Sequence, residues 1–245
     1  MDLMDEYRPG SRFAVWQELR RLGDRARDPR YLPEARAVCD EMARRARHNV
    51  ELLVERLTGQ GYAFHTNTDA YQPMVGFIPA TPDAEDLVEW LDHQPFGPIP
   101  LTVSSWIRLV GDVWFVGTHP YWEQSDEADP LVIQLEGSHY ADVSIRDHVA
   151  DEYEEWRKWS AEEPREAREF ILEVAPDRLT KANISGGAPY GFYLPDGCAD
   201  GLFQAEADMP FVQYLNLVFA NGGFPAASTG HWMLKRELAK GLLPL

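Results

Sequence analysis

The sequence predicts an α+β fold, with a mixed or antiparallel sheet set between an N-terminal helical region and C-terminal helices. Three observations carry this reading. Apolar residues recur at three-to-four spacing through the first 60 residues, the period of amphipathic helices. From residue 61 onward, short β-branched and aromatic runs are bounded by Gly and Pro, as strands are. Strands and helices then mix without a βαβ rhythm, which argues against a doubly wound parallel sheet. The spacing divides the chain into an N-terminal helical region, 1–60, packed on an acidic α+β domain, 61–245.

In chain order, a first helix is expected over Arg12 to Leu22, burying Phe13, Trp16 and Leu19 and stopping at Gly23. A long helix runs from Pro33 to Leu57 on the stripe Val38, Met42, Ala46, Val50, Leu53, Val54 and Leu57, with Pro33 in its first turn and Gly59 and Gly61 closing it. Tyr62–His65 and Met74–Ile78 read as strands around a polar turn at Asn67–Asp69. Thr81-Pro82 opens a helix that buries Leu87, Val88 and Leu91. The proline-rich run 95–100 is a rigid connector, followed by a helix from Thr102 to Val110 that ends at Gly111. Val113–Val116 and Leu131–Leu135 read as strands flanking the loop Thr118–Pro130. Asp147–Ala161 reads as an acidic helix, Phe170–Val174 and Gly191–Leu194 as strands. Met209–Ala220 is an apolar helix stopped by Asn221-Gly222-Gly223, and a last helix runs from Ser228 or Thr229 to Lys240.

Composition narrows the function classes. The 245 residues carry 40 Asp and Glu against 23 Lys and Arg, a net charge of −17, so phosphate is repelled and neither nucleic acid nor an anionic membrane is an expected partner. The charge is uneven: residues 1–60 hold 12 Arg and 11 acidic residues, whereas 123–210 hold 21 acidic and 7 basic residues. Arg interleaved with acids on helices reads as solvated faces with local ion pairs. Cys39 and Cys198 carry neither disulfide-framework nor zinc-site spacing. No apolar run reaches membrane-span length, and the acidic N-terminus lacks a signal-peptide core, so a cytoplasmic protein is expected.

Four motifs carry candidate chemistry. His148 and Glu152, four apart on one helix with Asp151 between them, could offer ligands to a metal, but a third ligand is missing and a solvated acidic face is the simpler reading, so no metal is assigned. His119, in the loop after a strand, could act as acid or base if Asp126 or Asp129 orients it; without a nucleophile motif, no residue is assigned a catalytic role. The run Asn183–Gly191 after Lys181 could cradle an anion, yet it matches neither a Walker A nor a GxGxxG pattern, and a tight turn explains its glycines. No cofactor is expected. The tryptophans say more. Most serve the core, but Trp156 and Trp159 lie three apart on an acidic helix, and aromatics among carboxylates suit a basic protein partner.

From Phe96 to Pro130, a proline-flanked entry (Gly97-Pro98-Ile99-Pro100-Leu101) leads into a short helix carrying Trp106, then Gly111, then the strand Val113–Val116. This stretch resembles the core of the SUKH superfamily, the immunity-protein-like group that includes the fungal cell-wall-synthesis regulator. Ile99-Pro100 and Val110-Gly111 stand at the corresponding places. The long N-terminal helices and the segment Phe211–Pro225 depart from that pattern. The resemblance implies an α+β protein that binds a partner non-covalently, often a toxin domain, with no catalytic residues to carry over. The expected function is accordingly a non-catalytic acidic binding protein, of an immunity or antitoxin kind, for a basic protein partner. Its contact residues are Asp151, Glu152, Glu154, Glu155, Trp156 and Trp159, joined by Trp122 and Asp126 from the loop 118–130. A cytoplasmic hydrolase using His119 with Asp126 or Asp129 is the alternative, and a stabilising subunit of a larger assembly is a third reading.

Overall fold

The computed structural model describes residues 3–8, 10–137, 144–165, 168–226 and 231–245. It is an α+β structure with helices at both ends and antiparallel sheets between them. The N-terminal region forms α1 (Leu3–Tyr7), α2 (Arg12–Leu22) and the long α3 (Leu32–Gly59). The stripe Val38, Met42, Ala46, Val50, Leu53 and Leu57 is buried along α3, with Pro33 in the first turn where its missing N–H costs nothing. Trp16 and Leu19 are buried as expected, but Phe13 is 72 % exposed. The inward stripe of α2 begins at Val15 and runs through Trp16, Leu19 and Leu22, leaving Phe13 off its end.

Among the described residues three small sheets follow. β1 (Ala63–Phe64) pairs with β4 (Gly117–Thr118); β3 (Gly111–Trp114) lies between β2 (Phe77–Pro79) and β5 (Val132–Ile133). The third is a four-stranded meander of β6 (Phe170–Ala175), β7 (Tyr190–Leu194), β8 (Leu202–Gln204) and β9 (Met209–Pro210), with a register shift at Glu173/Ala175. All pairs are antiparallel, and the Gln134 N–H, just after β5, donates to Val174 O at 2.8 Å and ties the second sheet to the third. Between strands lie α4 (Ala84–Asp92), α5 (Leu101–Leu109), α6 (Ile145–Glu162) and α7 (Arg178–Lys181); α8 (Phe211–Ala220) and α9 (Trp232–Ala239) close the chain.

Several boundaries move for physical reasons. Thr81 does not cap α4; its N–H donates to the Glu136 carboxylate, and the helix starts at Ala84. The strand expected over 113–116 runs as a regular strand from Gly111 to Trp114, and beyond it the Phe115 N–H donates to Leu131 O at 2.8 Å while Val116 O accepts from the His65 N–H at 3.1 Å. Met209 and Pro210 leave the apolar helix for β9, and α8 begins just after Pro210, whose ring lacks the N–H an interior position needs. The start placed at Ser228 or Thr229 lies outside the described residues, as does His139.

Among the described residues the buried apolar side chains form one continuous core. α3 lies along α5, where Trp106 is wholly buried and donates from Nε1 to Gly111 O at 2.9 Å; burying such a ring contributes about 2–3 kcal/mol. Gly111 has φ +106, and a Cβ there would stand 2.3 Å from Ile78 O, so only glycine lets β3 begin beside β2. Polar stitches add to this. Arg20 pairs with Asp200 at 2.6 Å, and Arg27 holds Asp92 in a two-pronged contact. Buried Asn49 exchanges two hydrogen bonds with the Leu243 backbone, fixing the C-terminal tail on α3. Among the described residues no helix is long and apolar enough to cross a membrane.

Candidate partner-binding site

The acid-rich helix α6 buries only Val149 completely. It is held on the core by Ile145, Tyr153 and Trp156, all partly covered. Tyr153 and Trp156 stack at 5.4 Å, and Phe170 meets both rings edge-on at 5.2 and 5.7 Å. Trp156 Nε1 also donates to Arg168 O at 3.1 Å. On β6, Phe170, Leu172 and Val174 turn inward and are buried, while Glu173 stays exposed. These two facts produce a trough between α6 and β6. One part of it, a cavity of about 450 Å³, is lined by Glu152, Glu155, Trp156, Trp159, Phe170 and Glu173, among others. A second hollow of about 350 Å³ shares Glu173 with the first and includes His148 and Gln134.

Glu152 is the electrostatic centre of this trough. Its Oε1 lies 3.1 Å from His148 Nε2, but Oε2 is buried with no hydrogen-bond partner. Burial first, then the neighbouring charges of Glu173 and Glu155, push its carboxyl from the ordinary 4.5 up to about 7. Desolvation also raises Glu173, and the His148 ring opposes that rise. Two carboxylates raised in one trough that also carries aromatic rings have the chemistry to accept a cation, since a guanidinium or ammonium placed beside them would relieve the mutual repulsion.

The structure gathers some of the anticipated contact residues here and scatters others. Glu152, Glu155, Trp156 and Trp159 line the trough, and Trp159 is 41 % exposed. Asp151 and Glu154 are exposed on α6, where Glu154 pairs with Arg157 at 2.6 Å. The loop 118–130 contributes no lining residue. Trp122 is only 2 % exposed, packed against Phe224 at 5.2 Å and His231 at 5.4 Å, so it presents no surface to a partner; the exposed aromatic of that loop is Tyr121, at 83 %. Asp126 is half-buried and accepts from the Glu127 N–H at its own turn. Glu173 and Arg168 were missed. The alternation of β6 would have found Glu173, because it falls between the inward Leu172 and Val174.

The other motifs resolve into local structure. His119 is 4 % exposed; its Nδ1 accepts from the Tyr121 N–H, so its Nε2 donates to Gln60 Oε1 at 3.3 Å. Burial, then His231, lower its pKa. Neither Asp126 nor Asp129 is its partner, since Asp129 is held by Lys181. In the Gly-rich run, Gly186 sits so close to Asp177 that a Cβ would stand 2.5 Å from its Oδ1. The Asp177 carboxylate accepts from the Leu179 and Thr180 N–H groups and the Thr180 hydroxyl. Burial pushes its pKa up, but the bonds from Thr180, Leu179 and Gly187 outweigh that and hold it low. The anion cradled by this loop is the chain's own. Among the described residues no three His, Cys, Asp or Glu side chains are placed to hold a metal ion.

Fold and trough together define the class: an α+β protein bearing an acidic, aromatic-walled groove on a lightly attached helix. Compared with protein-family models, curated proteins and solved structures, the chain matches none.

Proposed function

We propose that the protein is a non-catalytic binding protein that takes a basic segment of a protein partner into the trough between α6 and β6, in the manner of an immunity or antitoxin factor. One observation carries this reading: Glu152, with a buried and unpartnered Oε2, lines one trough together with Glu155, Glu173, Trp156 and Trp159. A carboxylate pair left in this state is costly to the folded chain and favourable to a bound cation. The net charge of −17 supports the same reading, because long-range attraction speeds encounter with a basic partner. The resemblance of the Phe96–Pro130 stretch to the SUKH superfamily supports a binding rather than a catalytic role. Cytoplasmic residence fits the same proposal.

The test is capture on immobilised protein, repeated with Glu152→Lys/Glu155→Lys in place of the wild type. A basic protein retained at about 50 mM salt, released at about 500 mM and absent from the charge-reversed column supports the proposal. Retention that ignores both salt and charge reversal overturns it.

A further inference from the structure

The chemistry opposite to that of the trough stands on α9. The inner side of this helix is fixed to the core: Leu238 and Lys235 are buried, and Lys235 Nζ donates to Ala226 O at 2.6 Å. Its outer side presents Trp232 and Met233, 66 % and 65 % exposed, followed by Arg236, Glu237 and Lys240. These residues line an open hollow of about 660 Å³. Among the described residues neither Arg236 nor Lys240 has an acidic partner, although acids outnumber bases in this chain by 40 to 23. Large apolar side chains left in water beside unpaired cations mark an interaction surface.

The trough offers the matching set. Trp159 and Glu155 are exposed on α6, and Glu152 lies one turn nearer its N-terminus. At a rise of about 1.5 Å per residue, Trp232, Arg236 and Lys240 follow one another at about 6 Å along one face. Trp159, Glu155 and Glu152 do so at about 6 and then about 4.5 Å, in the reverse chain direction. Laid antiparallel, the two helices bring Trp232 to Trp159, Arg236 to Glu155 and Lys240 to Glu152. Both helices are held elsewhere in their own chain, α9 on α3 and α8 and α6 on β6, so the contact joins two molecules.

We propose that α9 of one copy docks into the trough between α6 and β6 of a second copy, and that the reciprocal contact closes a twofold dimer. Two chains of charge −17 repel each other at a distance, but at about 0.15 M salt that repulsion is screened beyond about 8 Å, whereas ion pairs covered by Trp232 and Met233 are screened much less. The proposal rests on the reading of the trough as a receptor for basic segments, and makes the second copy an occupant that a foreign partner must displace.

Sedimentation velocity of the full chain between about 5 and 500 µM, in about 0.15 M salt, tests it. The wild type is expected to pass from monomer to dimer within that range. Arg236→Glu and Glu155→Lys, both at exposed positions, should each weaken dimerisation about tenfold or more, because each sets like charges against each other in both contacts. An equimolar mixture of the two variants should dimerise again, since opposite charges then meet in both contacts. A wild type that stays monomeric to about 500 µM overturns the proposal. So does a dimer that neither variant weakens, or a mixture that stays monomeric where the wild type dimerises. A monomeric chain that still captures a basic protein through Glu152 and Glu155 overturns the dimer alone and leaves the proposed function standing.

Discussion

Replacing Glu152 by glutamine separates the stability of the fold from its proposed use. In the folded chain Glu152 keeps its proton up to about pH 7, whereas the unfolded chain releases it near the ordinary 4.5. Between those values the folded state binds the extra proton, so stability falls as pH rises through the window and the loss is complete above it. At about 1.4 kcal/mol per pH unit the difference amounts to about 3 kcal/mol, and screening at a side chain that is 26 % exposed reduces it to about 1–2 kcal/mol. Glutamine carries no charge at any pH and retains an oxygen for His148. Urea unfolding followed by tryptophan fluorescence should therefore find Glu152→Gln more stable than the wild type by about 1–2 kcal/mol near pH 8 and equal to it near pH 4. Other titrating groups are common to both proteins and cancel in the difference. A variant less stable near pH 8, or a gap that does not change with pH, would refute the argument. The same variant should bind the basic partner more weakly, since the charge that strains the free protein is the one the partner is proposed to use.

Three further outcomes are expected. Lys181→Met leaves Asp129 charged and buried and should cost about 3–5 kcal/mol, with part recovered by adding Asp129→Asn; a loss under about 1 kcal/mol would mean that solvent reaches the pair. Gly111→Ala combines φ +106 with a Cβ 2.3 Å from Ile78 O and should lower stability by about 3 kcal/mol or more, read as a drop in Tm. Trp156→Ala removes the ring stacked on Tyr153 and the bond to Arg168 O, so amide exchange along α6 should accelerate while α3 keeps its protection; uniform exchange would contradict this attachment.

Periodicity made α3 legible because its stripe is long and its ends are marked by Pro33 and Gly61. The pattern failed at Phe13, which shares a helical face with Trp16 in a one-dimensional reading but lies beyond the packed stripe. β8 and β9 went unseen because three and two residues are too few to show alternation, and Met209–Pro210 is apolar enough to pass for helix. On the trough, Glu152, Glu155, Trp156 and Trp159 were legible because acid and aromatic residues interleave on one helix. Their partner Glu173 lies 21 positions away in sequence, on a strand whose alternation was the available clue. Nothing local joined Asp129 to Lys181, which are 52 positions apart; that contact is created by the fold alone.

The most direct measurement of the central claim is the association rate and affinity of the salt-released basic partner, for wild type and for Glu152→Gln/Glu155→Gln, at low and at high ionic strength. The account predicts that salt slows association to the wild type, and that the variant loses about tenfold or more in affinity with a weaker salt dependence. Equal affinity of the two proteins at both ionic strengths would contradict it, and would remove the trough between α6 and β6 as the binding site.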